Sequence, residues 1–413
     1  MTMETSIAFV GLGSMGCGMA TNLVKCGFKV RGYDINELAA KRLVTAGGKR
    51  ASTPKAAVEE GHANVLICMV ATEQQASSCL FDTETGAAAC LAVNGAILLC
   101  LTASPEFARN IRSSLDDQHR EDITLLDCPV SGGADRASDG TLSILYSGAG
   151  QLPKNVGDVL KTLGSRLNPA GFQVGNASAL KMVHQILVGV HIVAAAEVIG
   201  LATVAGLDIQ ALYREIMDGE SASWLFGQRV PHMMALDKPP FSSLGIILKD
   251  LNMVNACGRA RRFPLILSST AAQIFSSTIG AGLGYEDDCA PLRLYLLGRD
   301  GLSAETRKVT DAKEAQKSES ASGITISTVR NILRAIHLAA AAEAISFAQE
   351  LELNLQVFHD FVKDAAGASV MFQEYSSRFL QTGLPMTLNL IDGNYDIAVE
   401  LVSKLDNNED YMK

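Results

Sequence analysis

A glycine-rich turn near the N-terminus constrains the fold of this chain more than any other feature. An apolar run at residues 7–10 leads into Gly11-Leu12-Gly13-Ser14-Met15-Gly16, and a helical stretch follows over residues 19–25. In a strand–turn–helix unit the first glycine allows a tight turn and the second lets a pyrophosphate approach the backbone. The third lets the helix pack against the strand. The turn therefore predicts a dinucleotide-binding α/β domain.

Asp34 indicates which dinucleotide binds. It ends a second predicted strand at residues 29–33, where the adenosine ribose would lie. A carboxylate there accepts a hydrogen bond from the ribose 2′-hydroxyl and repels a 2′-phosphate, so NAD is predicted. Arg31 and Lys41 are nearby cations, and for that reason NADP stays an alternative.

Three further apolar runs follow at the spacing of an α/β sheet, at residues 64–70, 96–101 and 123–127. Continuous runs of this kind predict parallel strands that are covered on both faces, in a doubly wound sheet. Ligands bind to such sheets in the loops that follow the strands. Here those loops contain residues 69–72, 102–105 and 127–133.

Charge and cysteine content exclude several classes of function. The 413 residues include 35 Lys and Arg against 44 Asp and Glu, a net charge of −9, with no basic cluster. A nucleic-acid or anionic-membrane surface is therefore not expected. Nine cysteines show no CxxC pair, which predicts thiols in a reducing compartment and no metal site. The acidic run Glu286-Asp287-Asp288 is interpreted as helix-start carboxylates, and His232 has no partner at ligand spacing.

The chain is expected to be cytoplasmic. Strand-like residues begin by Ile7, which leaves no room for a signal peptide. The most membrane-like run, residues 186–204, contains His191 and Glu197, so it is interpreted as a helix buried inside the protein.

Several motifs resemble those of the β-hydroxyacid dehydrogenase family, the relatives of 6-phosphogluconate dehydrogenase. They are, in the family's order, GLGSMGCGMATNL, DCPVSGGADRASDGTL and GNASALKMVHQ. SWLFGQRVPHM, FPLILSSTAAQIF and GLGYEDDCA resemble the L-threonate dehydrogenase branch in particular. The resemblance covers about residues 5 to 298. It implies an α/β Rossmann domain followed by an all-α domain, and an NAD(P)-dependent oxidoreductase that transfers a hydride between nicotinamide and a small hydroxy acid.

The resemblance also implies roles for individual residues. Lys181 would be the general acid and base. The substrate would be bound by Ser131, Gly132, Gly133, Thr102, His184 and Gln185. The cofactor would be bound by Gly11, Leu12, Gly13, Ser14, Met15, Gly16, Asp34, Met69, Val70, Thr102 and Lys249.

These residue types suit the chemistry that the resemblance implies. A hydroxy acid is oxidised when a base takes the hydroxyl proton, and a lysine can be that base if burial lowers its pKa. Ser131, Gly132 and Gly133 can present a hydroxyl and backbone N–H groups to a carboxylate. For His184, a substrate contact, a second acid/base role and simple helix packing all agree with the sequence.

Two other functions stay open. One is an NAD(P)H-dependent reductase of a larger keto or aldehyde biosynthetic intermediate, because one site catalyses both directions. The other is a non-catalytic scaffold that binds the cofactor. Loss of Lys181 would have indicated the scaffold, and Lys181 is present.

The chain beyond residue 300 repeats part of itself. At a constant offset of 146 residues (337 − 191), His337 repeats His191 and Ser369 repeats Ser223. The offset places Ser327 opposite Lys181 and Tyr395 opposite Lys249, so the copy has neither lysine and is predicted to be non-catalytic.

The predicted organisation has four parts. They are an NAD-binding Rossmann domain at 1–175, a helical domain at 176–300, a polar linker at 301–323 and a degenerate, partial copy of the helical domain at 324–413. Long helices at about 181–205 and 325–351 would pack together. The result would be either a monomeric pseudo-dimer or a homodimer.

Overall fold

The computed structural model describes residues 4–234, 242–284, 286–296 and 323–383. The chain forms two compact units. The first unit consists of Met1–Val183 and Ala348–Ala366, and the second of His184–Phe347 and Gly367–Lys413. The predicted linker, apart from residue 323, lies outside the described residues, as does the end of the predicted copy with Tyr395.

The first unit is built on a six-stranded parallel sheet with the strand order β3-β2-β1-β4-β5-β6. Its strands are β1 (Ser6–Val10), β2 (Lys29–Tyr33), β3 (Lys49–Arg50), β4 (Val65–Cys68), β5 (Ala96–Leu99) and β6 (Thr124–Asp127). The strand order reverses between β1 and β4. The loops after these two strands therefore diverge, which opens the crevice where α/β sheets bind ligands.

Helices connect these strands and cover both faces of the sheet. They are α1 (Ser14–Lys25), α2 (Glu37–Thr45), α3 (Pro54–Glu59), α4 (Glu73–Phe81) and α5 (Pro105–Asp117), with a 3₁₀ turn at Ala88–Cys90. Thr53, Thr72 and Ser104 each accept a backbone N–H at a helix start. One buried core lies on each face, and the apolar strands contribute alternate residues to the two.

A smaller sheet completes the first unit. It contains β7 (Val130–Ser131), β8 (Leu142–Tyr146) and β9 (Gly164–Pro169), of which β7 and β8 are antiparallel and β8 and β9 parallel. Helices α6 (Gly133–Asp139) and α7 (Lys154–Leu163) accompany it. A helix from the predicted copy, Leu355–Val362, packs against β8 and β9 in the same unit.

The predicted fold class holds for the sheet and for the helices that follow it, with differences at element ends. The first helix begins at Ser14, earlier than the predicted residue 19, because Gly16 belongs to its first turn. The strands predicted at 64–70 and 96–101 end at Cys68 and Leu99. The last predicted residues of these two strands belong instead to the loops at the ligand-binding edge. The prediction was too long because these loop residues are apolar although they lie outside the hydrogen-bonded strands.

The rest of the described chain is helical. In chain order the helices are α8 (Asn176–Val204), α9 (Ile209–Met217), α10 (Trp224–Met233), α11 (Leu244–Arg261), α12 (Ile266–Thr278), α13 (Leu292–Tyr295), α14 (Ile326–Glu350), α15 (Leu355–Val362) and α16 (Val370–Thr382), with a π-helical turn at Ile279–Leu283. By length and composition α8 could cross a membrane, yet most of its apolar stretch is buried inside the protein, as in a core helix.

Contacts inside the second unit come in reciprocal pairs. The N–H of Trp224 donates to the carbonyl of Ala368 over 2.9 Å, and the N–H of Val370 donates to the carbonyl of Ala222 over 3.0 Å. Each partner lies 146 residues from its counterpart. Between them Ser223 and Ser369 form an antiparallel bridge. Reciprocity of this kind is the signature of a two-fold-related interface.

Two histidines meet at equivalent positions of α8 and α14. The ring centroids of His191 and His337 are 4.2 Å apart, and both side chains are fully buried. Burial disfavours the charged ring, so it lowers the pKa of His191 well below the usual value and the pKa of His337 to about 3. Both rings are therefore neutral in the folded protein at neutral pH.

This pair predicts acid sensitivity. A folded-state pKa below the unfolded value gives stability that is present above about pH 6.5 and is lost as the pH falls. The free energy of unfolding should fall by about 1.4 kcal/mol per pH unit for each histidine between pH 6 and pH 4. Urea unfolding across this range measures the slope. His337→Gln should remove the contribution of one histidine, about 1.4 kcal/mol per pH unit, from the slope, and an unchanged slope in that variant would contradict the assignment.

Candidate active site

The glycine turn between β1 and α1 has the geometry that a dinucleotide needs. Gly11 has a φ of +92°, and a Cβ there would overlap the carbonyl of Met69. A Cβ at Gly16 would overlap the carbonyl of Gly11. Among the described residues, a Cβ at Gly13 would meet no atom within 4 Å. Two glycines therefore hold the turn closed, and the third leaves its outer surface open for a pyrophosphate.

Two backbone N–H groups, one of them in the glycine turn, hold the Asp34 carboxylate in place. The N–H of Leu12 donates to its Oδ2 over 2.6 Å, and the N–H of Asn36 donates to its Oδ1 over 2.7 Å. Each oxygen keeps a further lone pair that a ribose hydroxyl can use. Next to it, Ile35 and Leu38 are 80% and 66% exposed. This apolar surface is suited to an adenine ring.

The loops after β4 and β5 hold the other predicted cofactor residues. Met69 follows β4 and donates its N–H to the carbonyl of Val10 over 2.8 Å, which keeps the loop beside the glycine turn. Val70 comes next, and Thr102 is half-buried in the loop after β5. All three stand at the carboxyl edge of the parallel sheet, the edge where α/β folds bind ligands.

The segment Ser131-Gly132-Gly133 joins β7 to α6 with an unusual backbone. Gly132 and Gly133 have φ values of +144° and +75°, which favour glycine. A Cβ at Gly132 would lie 2.9 Å from Cδ of Arg136. The Ser131 side chain is buried and its Oγ accepts the N–H of Ala366 over 3.2 Å. The segment can thus present a hydroxyl and adjacent N–H groups to an anion.

A buried carboxylate anchors the start of α8. Asp127, at the end of β6, accepts hydrogen bonds from Ser178 Oγ (2.6 Å), the Ser178 N–H (2.8 Å) and the Gly175 N–H (3.1 Å), and Ser147 Oγ lies 3.3 Å away. Burial raises the pKa of Asp127, and these donors oppose the rise. The anchor positions Lys181, which lies one turn further along α8 and is 5% exposed.

A chain of hydrogen bonds within the second unit joins the remaining predicted residues. Nε2 of His184 accepts the N–H of Gly367 over 2.9 Å, so the ring proton is on Nδ1, which lies 3.0 Å from Oε1 of Gln185. Nε2 of Gln185 donates to Oδ2 of Asp250 over 2.6 Å. Oδ1 of Asp250 is 3.0 Å from Nζ of Lys249. His184, Gln185 and Lys249 therefore belong to one network.

His232 has no partner at ligand spacing in the sequence, but the fold supplies two partners from a distant part of the chain. Its Nδ1 lies 3.3 Å from Oδ1 of Asp287 and 3.9 Å from Sγ of Cys289. The interpretation of the acidic run as helix-start carboxylates is wrong. Asp288 forms a two-pronged ion pair with Arg229, with both contacts at 2.8 Å. About 55 residues separate His232 from these partners, so local spacing carried no signal of the contact.

The predicted residues fall into two groups. The turn residues 11–16, Asp34, Met69, Val70, Thr102, residues 131–133 and Lys181 belong to the first unit, and His184, Gln185 and Lys249 belong to the second. Sequence reasoning missed Asp127 and Asp250 as supporting residues. A carboxylate directly after a buried strand is the signal that would have indicated Asp127.

Comparison with known proteins identifies the class of protein. A family model described as the NAD binding domain of 6-phosphogluconate dehydrogenase matches residues 6–175. A second, described as NAD-binding of NADP-dependent 3-hydroxyisobutyrate dehydrogenase, matches residues 175–295. The chain therefore belongs to the 3-hydroxyisobutyrate dehydrogenase-like family of β-hydroxyacid dehydrogenases, which use NAD(P) and act on small hydroxy acids.

Individual relatives agree with this. L-threonate dehydrogenase of Cupriavidus necator is 36% identical over 293 residues, which is 71% of this chain and 97% of that protein. L-threonate dehydrogenase of Escherichia coli K12 is 35% identical over 292 residues, 71% of this chain and 95% of that protein. The crystal structure of 3-hydroxyisobutyrate dehydrogenase from Salmonella typhimurium has a TM-score of 0.65 at 33% identity, and covers 70% of this chain and all of that one. The predicted family, NAD(P) cofactor and enzyme class are confirmed.

The anchor at Asp127 predicts a loss of stability. Asp127→Ala removes the acceptor of two buried hydroxyls and two backbone N–H groups, which should cost about 3 kcal/mol of unfolding free energy. Chemical denaturation measures the loss. Asp117→Ala, at the exposed end of α5, is the control and should change stability by less than about 0.5 kcal/mol. Equal values for the two variants would contradict the anchoring role.

Proposed function

We propose that this protein oxidises an L-threonate-like hydroxy acid with NAD, and that Lys181 is its general acid and base. The observation that carries the proposal is Lys181 itself. It is buried on α8, inside the GNASALKMVHQ motif, and the Asp127 anchor fixes the turn that precedes it. The L-threonate dehydrogenases among its relatives support this substrate class.

The proposed mechanism assigns the proton to Lys181. Bound NAD(P) supplies the hydride acceptor in oxidation and the hydride donor in reduction. In oxidation the neutral amine of Lys181 takes the proton of the substrate hydroxyl, and in reduction the ammonium returns it to the carbonyl oxygen. A buried lysine suits both steps because its environment sets the balance between amine and ammonium.

The same proposal assigns the binding residues. Ser131, Gly132 and Gly133 bind the substrate carboxylate through a hydroxyl and backbone N–H groups, and Thr102 contacts both substrate and nicotinamide. His184 and Gln185 shape the substrate site. Their hydrogen-bonded chain to Asp250 and Lys249 supports a positioning role, since both nitrogens of His184 already have partners.

We infer a preference for NAD over NADP. The two N–H donors hold the Asp34 carboxylate in place, where it would repel a 2′-phosphate. Arg31 is committed elsewhere, because its Nη1 lies 2.7 Å from Glu60 Oε2 and 3.2 Å from the carbonyl of Arg50. Arg50 in turn pairs with Glu37 over 2.8 Å. Arg31 and Arg50 are therefore both engaged by carboxylates of the protein and are not positioned to bind a 2′-phosphate.

The proposal extends to the organisation of the chain. We propose the domain division at 1–175, 176–300, 301–323 and 324–413, with the last part a non-catalytic copy of the helical domain. The reciprocal contacts around Ser223 and Ser369 and the His191–His337 pair support the copy. One chain would then be a monomeric pseudo-dimer, located in the cytoplasm. The homodimer is its alternative, and the mass of the protein in solution by light scattering distinguishes the two.

The reverse direction remains the second candidate. A reductase of a larger keto or aldehyde acid would use the same residues in the opposite order. A non-catalytic scaffold is less favoured, because the chain keeps Lys181 inside the GNASALKMVHQ motif and holds it buried.

Lys181→Ala tests the proposed chemistry. We expect kcat for NADH formation from L-threonate to fall by about 10²- to 10⁴-fold, the usual contribution of general acid–base catalysis. NADH binding, measured by fluorescence titration, should change little. Lys161→Ala, on the exposed face of α7, is the matched control and should keep wild-type turnover. Undiminished turnover in Lys181→Ala would refute the assignment.

Asp34→Ser tests the cofactor preference. Removal of the carboxylate weakens ribose binding in NAD and relieves repulsion of the 2′-phosphate in NADP. The ratio of kcat/KM for NAD to that for NADP should therefore fall by about tenfold or more, equivalent to roughly 1.4 kcal/mol. Steady-state kinetics with both cofactors measure the ratio. A wild type that prefers NADP would overturn the inference directly.

A further inference from the structure

The predicted copy supplies a backbone donor to Ser131. Within the first unit the N–H of Ala366 donates to Oγ of Ser131 over 3.2 Å, across 235 residues of sequence. A hydroxyl has one proton, and a hydroxyl that accepts from an N–H directs that proton away from the donor. The contact therefore leaves the Ser131 proton available for another acceptor.

The segment that carries Ala366 is fixed to the first unit beside the glycines. Nη1 of Arg136 donates to the carbonyl of Asp364 over 2.8 Å, and the same side chain lies directly against Gly132. Nε of Arg166 is 3.5 Å from the Asp364 carboxylate. One arginine thus holds both the Ser131–Gly133 segment and the end of the copy's helix α15.

We propose that the N–H of Ala366 orients the Ser131 hydroxyl toward the substrate carboxylate, so that the C-terminal segment is a positioning element of the substrate site. This inference rests on the proposed function, because it takes the carboxylate to bind at Ser131. Ala366 does not touch the substrate in this proposal, and its N–H acts through Ser131.

The counterpart of Ala366 in the first copy is charged. At the offset of 146 residues the counterpart is Glu220, whose carboxylate is 2.9 Å from Nη2 of Arg334. Arg330, the counterpart of His184, pairs with Glu215 over 2.7 Å. Beside Ser131 the chain has the neutral residue Ala366, whereas the equivalent position of the first copy has the carboxylate of Glu220. A carboxylate at residue 366 would repel an acidic substrate bound at Ser131.

The next residue shows the same specialisation, within the second unit. Gly367 donates to Nε2 of His184, and a Cβ at this position would lie 3.0 Å from Cδ2 and Nε2 of His184 and from Cβ of Leu187. Its counterpart is Ser221, whose Oγ donates to the carbonyl of Arg330 over 3.0 Å. The copy thus has Ala-Gly where the first copy has Glu-Ser, so it lacks both the carboxylate and the hydroxyl.

The experiment compares Ala366→Glu and Ala366→Pro with the wild-type full-length chain. Ala366→Glu introduces the counterpart's carboxylate, and Ala366→Pro removes the N–H. We expect KM for L-threonate to rise about tenfold or more in both. Ala366→Pro loses the hydrogen bond that orients Ser131, and Ala366→Glu places a carboxylate beside the substrate carboxylate. Values of kcat at saturation and of KM for NAD should stay within about twofold, a split that simple destabilisation does not produce.

Two controls complete the test. Ala366→Gly keeps the N–H and should keep the wild-type KM, and Glu220→Ala changes the equivalent residue of the first copy and should do the same. If Ala366→Pro does not fold, Arg136→Ala replaces it, because that variant releases the carbonyl of Asp364 and with it the segment that carries Ala366. An unchanged KM in Ala366→Pro, or in Arg136→Ala where the proline variant does not fold, overturns this inference alone, provided that the wild type oxidises L-threonate and the Lys181→Ala variant is inactive. A wild type that neither oxidises nor binds any hydroxy acid overturns the proposed function, and this inference with it.

Discussion

The structure depends above all on one buried carboxylate. Asp127 ends the last parallel strand and accepts hydrogen bonds from the residues that begin α8. Removing a carboxylate from water is costly, and only a full set of donors compensates for it. That requirement fixes the first turns of α8, up to residue 183, beside the end of β6 within the first unit. Lys181, the proposed catalytic lysine, lies on the next turn of α8, so the same hydrogen bonds also fix its position.

The helical part follows from a second constraint. An apolar helix such as α8, buried nearly all round, needs another apolar surface along its length. In the second unit α14 meets that need, with His337 against His191 at equivalent positions. The hydrogen bonds around Ser223 and Ser369 are reciprocal, as are the contacts between two subunits that are related by a two-fold axis. Covalent linkage of the two halves removes the concentration dependence of such an interface.

In the proposed duplication the two copies differ at particular positions, and the differences follow a pattern. The copy has no counterpart of residues 11–16, it has Ser327 at the position of Lys181, and it has Arg330, which pairs with Glu215, at the position of His184. The residues that the copy contributes beside Ser131 and His184 are small and uncharged, and they interact through backbone N–H groups. Separate subunits encoded by one sequence cannot differ in this way. Two copies within one chain can differ in sequence, so that one copy carries the catalytic residues and the other only positions them.

The sequence by itself determined the parts of this protein whose signals are local. The glycine turn, the apolar strands, Asp34, the lysine motif and the constant offset of the copy all depend on short spacings, and the chain needs no tertiary contact to display them. Local signals did not determine the ends of elements, such as the start of α1 at Ser14, because capping and packing decide where a helix begins.

Only the tertiary structure decided which distant groups meet. Asp127 to Ser178, Gln185 to Asp250, His232 to Asp287 and Ser131 to Ala366 are separated by 51, 65, 55 and 235 residues. Hydrophobic periodicity determines which face of a helix or strand is buried. It does not determine which polar groups of other elements that face contacts. Those pairings follow from the requirement that buried polar groups be satisfied, and this requirement is met only once the whole fold has formed.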